Sequence, residues 1–397
     1  MEFSIPFILF SELLLFFSIP LYKKNNKKFN SHRLTFGNTF QIPILSIILL
    51  FFVGFRAYIF TDFISYFNIF DEAPTFFNGS ISDYLFRSKY QGIESGYLLY
   101  NIILKSFGFN FFGFQIISFL IDYLILYSFF IDNNVKPEFG FLFFFVFYGF
   151  TMQFNLFRND KSIMLFILSI KYLKEKRITK YMLLNILGCC FHITSVFYLL
   201  LYPILIHKFK FRTYLVLILG GYIIYITGFP LLRTFLFFLS EHVGGKIGFL
   251  LRGYLGTKEY SYRSLLSIGF LERTLSFFLF FFVYRKKGYD NDDYIYLNLF
   301  CIYFAVFLYC SEIRILVERL PLLFASCYWI LYPRVYQKLK KDWKYIFLIG
   351  VFFYIILKCL YNYNTPISKY ENILLPHMSY YERLYFTEKY SYMIRGN

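Results

Sequence analysis

The sequence predicts an all-α fold, a polytopic membrane protein with about 11–12 transmembrane or re-entrant helices. Three observations lead to this fold class. Of the 397 residues, 58% are hydrophobic and only 16% are charged, and the mean hydropathy is +0.52. Apolar runs of roughly 17–25 residues, the length of a spanning helix, recur along the chain. Basic clusters separate the runs, and no polar stretch is long enough for a soluble domain, so we predict one integral-membrane domain over residues 1–397.

The basic clusters set the predicted orientation. They hold 21 of the 41 Lys and Arg residues, whereas residues 61–110 hold only three. Because cytoplasmic loops are enriched in Lys and Arg, the clusters are expected inside. This leaves the loops at about 61–110 and 230–264 and the C-terminal tail at about 362–397 outside. The net charge of +17 then reflects topology, and no nucleic-acid partner is expected.

The predicted helices follow the apolar runs in chain order. The first run, 3–21, has no preceding positive charge, so we expect a retained helix rather than a cleaved signal peptide. Residues 97–109 are too short to span and are expected to be re-entrant or interfacial. Residues 181–206 fit either one long helix or two short helices bent near His192. The other predicted helices cover about 40–60, 111–131, 139–153, 161–173, 213–229, 266–284, 294–310, 320–333 and 345–361.

Cysteine spacing and motif content predict a protein without a cofactor. The six cysteines lie in or beside apolar runs, and none has metal-ligand spacing to a histidine. The Gly-Gly-Lys at 244–246 lacks the glycine spacing of a phosphate-binding loop. We therefore expect neither a metal nor a nucleotide cofactor.

Small polar islands at the ends of apolar runs are the candidate functional residues. Ionisable groups at membrane depth are costly, so they are functional candidates by default. In the predicted topology these islands gather toward the outer face, which indicates one polar site built by several helices. The islands contain Arg56, Asp62, Tyr66, Glu94, Arg158, His192, Arg314, Glu318 and Arg319.

The first island joins a cation, a carboxylate and a phenol. Asp62 and Tyr66 are four residues apart, so on a continuous helix they share a face. The functional interpretation is a carboxylate oriented by a phenol beside Arg56. The alternative is an anchor at the lipid headgroups, where Tyr and Arg are common.

Three arginines are candidate phosphate ligands. Arg158 lies in a polar island between two helices, and a guanidinium binds phosphate in a bidentate manner. Arg314 and Arg319 would form a second clamp. The alternatives are a salt bridge from Arg158 to Asp160 or a headgroup contact, and a surface ion-pair cluster around Glu318.

His192 is a further candidate, either as a base or as a hydrogen-bond partner of the substrate. A neutral imidazole takes up a proton or hydrogen-bonds a substrate hydroxyl. The alternative is a packed histidine with its hydrogen bonds satisfied inside the protein.

The order and spacing of these islands resemble the EpsG family, which belongs to the Wzy-like polysaccharide polymerases. The shared pattern covers roughly residues 40–335. Its elements are Arg56-x5-Asp62-x3-Tyr66, Glu94 before Gly-Tyr, Asn155-x-x-Arg158, the Phe-His-Ile-Thr-Ser at 191–195, and a late arginine, Arg319 or Arg314.

The resemblance implies a GT-C-like membrane glycosyltransferase. Such an enzyme joins oligosaccharide units carried on undecaprenyl diphosphate at the outer face of the bacterial cytoplasmic membrane, making a capsule, an exopolysaccharide or an O-antigen. Its expected partners are the lipid-linked donor and acceptor, membrane lipid and a chain-length regulator. Asp62 is then the preferred general base, with His192 and Glu94 as alternates. The residues expected to bind substrate are Arg158, Arg319, Arg56, Arg314 and Tyr66.

Three other functions use similar residues. An O-antigen-ligase-like transferase would take the same donor but another acceptor. A flippase for lipid-linked oligosaccharides would bind the diphosphate without chemistry, and should carry its cations along a path through the membrane. A membrane acyltransferase would need a close partner for His192, which the neighbouring sequence lacks.

Overall fold

A computed structural model describes residues 2–19, 41–87, 90, 92–242, 267–288 and 292–395. Regular structure in these residues is helical, and they form no β-strand. The predicted all-α fold class is therefore confirmed. The part of the predicted outer loop at 243–264, with its Gly-Gly-Lys, lies outside the described residues.

The helices are numbered in chain order. Up to residue 205 they are α1 (Ile5–Ser18), α2 (Gln41–Leu49), α3 (Phe63–Asp71), α4 (Ile81–Phe86), α5 (Ser95–Ser106), α6 (Phe111–Asp132), α7 (Pro137–Phe144), α8 (Phe150–Asn155), α9 (Phe157–Lys174), α10 (Ile178–Cys189) and α11 (Val196–Leu205). After it they are α12 (Phe211–Thr227), α13 (Leu231–His242), α14 (Ile268–Lys287), α15 (Asp293–Tyr309), α16 (Arg314–Arg319), α17 (Ser326–Lys338), α18 (Lys341–Tyr363) and α19 (Tyr380–Arg395).

The chain divides into two compact units. The first comprises Met1–Leu200 and Lys340–Asn397, and the second comprises Leu201–Leu339. The single integral-membrane domain remains a prediction, and each unit is described by itself.

The helices of the first unit that pack most closely are α9 with α10, α1 with α7 and α18, and α6 with α9. The core between them is largely aromatic. For example, Phe7 contacts Phe150 and stacks on Tyr363, with ring centroids 5.1 and 4.6 Å apart. Such aromatic pairs add about 0.5–1.5 kcal/mol each beyond the burial of their area.

One predicted helix, 139–153, is broken in the structure. A π-turn at Phe145–Gly149 separates α7 from α8, and Tyr148 has the left-handed backbone φ of 76°. The ammonium of Lys358 lies 4.5 Å from the ring centroid of Phe147 and 5.3 Å from that of Tyr148. These cation–π contacts stabilise the turn from outside its own segment, so local hydropathy does not reveal the break.

The segment 61–110 folds into a small helical layer with its own core. Its helices α3, α4 and α5 bury the rings of Tyr84, Tyr97 and Phe70 together with Phe114 of α6. Residues 97–109, expected to be re-entrant or interfacial, fall mainly in α5, which packs on α3, α4 and α6.

The C-terminal tail is a folded part of the first unit. Its backbone pairs with the residues after α2: Ala57 N–H donates to the Glu371 carbonyl at 2.9 Å, and Ile373 N–H donates to the Phe55 carbonyl at 2.8 Å. The buried Arg383 of α19 donates to the Ile367 carbonyl at 2.7 Å. The tail therefore holds the segment that carries Arg56.

The second unit packs α12 and α17 around α15. At its core the guanidinium of Arg334 bonds the buried Asp293 carboxylate at 2.5 Å, and the Tyr284 hydroxyl donates to the same oxygen at 3.2 Å. Arg273 lies over the ring of Phe307, 4.3 Å from its centroid. Buried cations of this unit are thus paired with a carboxylate or an aromatic face.

Two helices of the described chain, α6 and α18, are long and apolar enough to cross a membrane by themselves. A third crossing arises if α12 and α13, which meet at 83°, form one broken span. Shorter apolar helices include α10 and α15. The chain is a helical membrane protein, while the count of about 11–12 crossings stays a prediction.

Candidate functional site

The centre of the candidate site is an ion pair between Arg158 and Glu94. Arg158 is the second residue of α9, and its Nη1 lies 2.7 Å from Glu94 Oε2. The same nitrogen reaches the Gly92 carbonyl at 3.5 Å, and Glu94 Oε1 accepts from Ile193 N–H at 3.0 Å. The side chains are 25% and 15% exposed, so the pair lies at an accessible edge. It joins the start of α5, the start of α9 and the break between α10 and α11.

Tyr66 extends the cluster from α3. Both the side chain and the backbone of Arg158 donate to the phenol oxygen, and the ring lies 4.9 Å from that of Phe157. Burial and the nearby Asp62 carboxylate raise the pKa of Tyr66 to about 12, while Arg158 opposes the rise. The phenol therefore stays protonated at neutral pH.

Asp62 immediately precedes α3 and is partly exposed. Its backbone N–H donates to Asn155 Oδ1 at 3.0 Å, and Thr61 Oγ1 donates to its Oδ1 at 3.2 Å. Asn155 thus positions Asp62, while Arg158 positions Glu94 and Tyr66. This explains why the chain carries asparagine and arginine three residues apart.

His192 lies at the break between α10 and α11, so residues 181–206 form two helices rather than one. Its Nδ1 accepts from Thr194 N–H at 3.3 Å and is 2.7 Å from Thr194 Oγ1, which reaches Asn159 Oδ1 at 3.3 Å. Thr194 therefore occupies Nδ1 whichever ring nitrogen carries the proton. This arrangement favours a hydrogen-bonding role over proton abstraction at Nδ1.

Close backbone contact between α5 and α10 brings Glu94 to the break at His192. At Gly96 an added Cβ would lie 2.6 Å from the Cys190 carbonyl oxygen. At Gly188 it would meet the side chain of Ser195, whose hydroxyl bonds that of Ser162 at 2.8 Å. Only glycine allows this approach, which accounts for the glycine two residues after Glu94.

Arg56 lies behind the cluster and is only 2% exposed. Its guanidinium donates to the carbonyls of Val53 and Gln153 at 2.6 and 2.5 Å. The rings of Phe154 and Phe157 lie 5.0 and 5.2 Å from it. This interior position favours a positioning role for Arg56 over direct contact with a substrate.

A buried network of basic and acidic side chains lies next to Arg56, and its members are not among the predicted site residues. Lys161 bonds the carboxylate of Asp122 and lies 3.5 Å from that of Asp160. Gln153 Nε2 donates to both carboxylates, at 3.0 and 3.1 Å. With Arg56, the network joins two basic and two acidic side chains. In the sequence, the signal for this network is Asp122, an acidic residue in the middle of the apolar run 111–131. A charged group inside such a run is as costly as one at its end, so Asp122 is also a functional candidate.

The structure therefore brings six predicted residues into one region of the first unit: Arg56, Asp62, Tyr66, Glu94, Arg158 and His192. Arg314 and Arg319 belong to the second unit, where α16 begins and ends with them and the Arg319 side chain is exposed. Their place in the same site stays a prediction. In the described ranges, no group of three or more His, Cys, Asp or Glu side chains is placed to hold a metal ion.

Comparison with known protein families gives a match over most of the chain. The model of the EpsG family matches residues 39–375, a span that includes all eight predicted site residues. Neither the curated proteins nor the solved structures give a significant match.

Proposed function

Because the chain belongs to the EpsG family of Wzy-like polysaccharide-polymerase-type proteins, we propose that it joins oligosaccharide repeat units carried on undecaprenyl diphosphate into a surface polysaccharide. The reaction would take place at the outer face of the bacterial cytoplasmic membrane. The observation that carries the proposal is the cluster of Arg158, Glu94, Tyr66 and Asp62, which unites three separate chain segments at an accessible edge.

The start of α9 is suited to an anionic leaving group. The first N–H groups of a helix have no partner within the helix, and they attract anions. At α9 the residue before the helix is Leu156, which makes no side-chain cap. The backbone N–H of Arg158 is already bonded to Tyr66, and the Arg158 guanidinium adds a positive charge in the first turn. This arrangement supports the binding of a diphosphate there.

In the proposed reaction, an acceptor hydroxyl oxygen bonds to the anomeric carbon of the donor as the bond from that carbon to the diphosphate breaks. The hydroxyl proton passes to Asp62, and the electron pair of the broken bond stays on the diphosphate. Arg158 stabilises the negative charge that develops there. Glu94 and Tyr66 hold the guanidinium in place, so it needs no reorganisation during the reaction.

Asp62 suits the role of base better than Glu94 or His192. Glu94 is engaged by Arg158 and by Ile193 N–H, and His192 Nδ1 by Thr194. The Asp62 carboxylate is partly exposed and accepts a hydrogen bond from the neighbouring Thr61 hydroxyl, while its backbone rather than its carboxylate bonds Asn155. A partly exposed carboxylate that is positioned through its own backbone can accept a proton without disrupting the contacts of its neighbours.

The test is the length of the surface glycan in a strain whose only copy carries Arg158→Ala, with the membrane level of the protein measured. We expect loss of long polymer while single repeat units still reach the outer surface, with at least a 100-fold lower yield, typical for loss of a charge-stabilising donor. The matched control is Arg87→Ala, which removes an exposed arginine paired with Glu72 at 3.1 Å in the same outer segment.

Three outcomes would contradict the proposal. Lipid-linked units retained on the cytoplasmic side would indicate a flippase. Polymer of normal length that fails to reach its final acceptor would indicate a ligase. Equal loss in the Arg158→Ala and Arg87→Ala strains would show that the effect does not come from the cluster.

A further inference from the structure

A groove in the first unit lies far from the cluster around Arg158. It has a volume of about 710 Å³ and is formed by α6, α9 and α10. Arg158 is the second residue of α9, while Lys171 and Lys174 line the groove from its last turn. At 1.5 Å per residue, sixteen positions along the helix correspond to about 24 Å. The groove is therefore a separate site at the other end of α9.

The walls of the groove are hydrocarbon and continue onto an apolar surface. Ile125, Ile167 and Leu184 line it, and so do Leu168 and Leu183, which are 37% and 60% exposed. In a protein that lies in a membrane, an exposed leucine surface of this kind faces acyl chains. The groove therefore has an apolar opening along its side.

The polar end of the groove is cationic. Lys171, Lys174 and Lys180 line it together with Asp132 and Glu175. Residues 171–180 contain five Lys or Arg and one carboxylate, Glu175, which Arg177 already pairs at 3.1 Å. The excess positive charge at this end favours the binding of an anion.

Two of the lysines are held in place. Lys174 Nζ donates to Asn133 Oδ1 at 2.7 Å, and Lys180 Nζ lies 5.2 Å from the ring centroid of Tyr172. Lys171 is exposed on the same turn as Lys174. Positioned ammonium groups above hydrocarbon walls match a molecule with an anionic head and apolar tails.

We infer that this groove binds an anionic glycerophospholipid, with the phosphate at Lys171, Lys174 and Lys180 and the acyl chains along Leu168 and Leu183. Its volume lies within the range of about 300–1,000 Å³ found for ligand sites. Basic pockets between membrane helices attract anionic headgroups, and each lysine increases the affinity roughly fivefold. The bound lipid would brace α9, the helix that presents Arg158.

The test is native mass spectrometry of the full-length protein in detergent, titrated with phosphatidylglycerol, cardiolipin or phosphatidylethanolamine. We expect both anionic lipids to bind more tightly than phosphatidylethanolamine. The double variant Lys171→Ala/Lys180→Ala should lower phosphatidylglycerol affinity at least about tenfold and leave phosphatidylethanolamine unchanged. Both side chains are exposed, so the fold should tolerate the change.

The control is Lys340→Ala/Lys341→Ala, which removes two exposed lysines of the same unit that do not line the groove. A second variant, Leu183→Trp, fills the apolar wall without changing charge and should also weaken phosphatidylglycerol binding. Equal binding of all three lipids, or equal effects of the two double variants, would overturn the inference. Displacement of the lipid by inorganic diphosphate would show a site for a free anion instead. None of these readouts involves polymerisation, so the result is independent of the proposed function.

Discussion

Replacement of Gly96 by alanine tests whether close contact between α5 and α10 positions the candidate site. The added Cβ would lie 2.6 Å from the Cys190 carbonyl oxygen and 2.9 Å from its carbonyl carbon. Both are backbone atoms, so the contact cannot be relieved by a side-chain rotation. Either α5 or the break after α10 must move, and Glu94 lies two residues from the substituted position.

The magnitude follows from two opposing effects. Overpacking costs about 1–3 kcal/mol, and alanine returns about 0.5–1 kcal/mol because it favours the helix more than glycine does. The net loss of folding free energy is therefore at most about 2.5 kcal/mol. If Glu94 and Arg158 move apart by about 1 Å, the rate of polymerisation falls roughly 100-fold.

The matched control is Gly350→Ala in α18, where an added Cβ meets no atom within 4 Å. That variant should show only the gain in helix propensity, so the two thermal unfolding midpoints should move in opposite directions. The assays are thermal unfolding in detergent and the length of the surface glycan. If Gly96→Ala matched Gly350→Ala in both stability and activity, the reasoning about helix contact would be refuted.

Three further predictions concern single side chains. Tyr66→Phe should lower the rate of chain extension about tenfold, because it removes the hydrogen-bond acceptor for Arg158. It should also make the protein more resistant to unfolding at alkaline pH. The pKa of Tyr66 is raised in the folded protein, so this phenol lowers the folding stability as the pH rises from 10.0 to about 12. Asp62→Asn should retain the fold, since its backbone bonds Asn155, but lose at least 100-fold in polymer yield; full activity would disprove the base role. Lys161→Met should lower stability by about 3–5 kcal/mol in thermal unfolding because it leaves two buried carboxylates, with partial recovery on adding Asp122→Asn; no recovery would argue against the charge network.

The grouping of polar residues into one site could be predicted in part. The cost of ionisable groups beside apolar runs is enough to single out Asp62, Glu94 and Arg158 from sequence alone. The same argument applied to Asp122, yet it sits inside a spanning run rather than at its end and was not included. The buried position of Arg56 was not predictable, because exposure depends on Phe154 and Phe157, about a hundred residues away in sequence.

The sequence by itself determined the all-helical class, the approximate course of long apolar helices such as α6 and α18, and the residue types available for chemistry, because hydropathy and helix periodicity are local properties. Only the tertiary structure decided which of these residues meet. Glu94 and Arg158 are 64 positions apart, and Asn372 of the tail reaches the Phe51 carbonyl across 321 positions. Such pairings depend on how helices pack, on the contact that Gly96 permits and on the folded tail. The sequence of a single segment does not specify these long-range contacts.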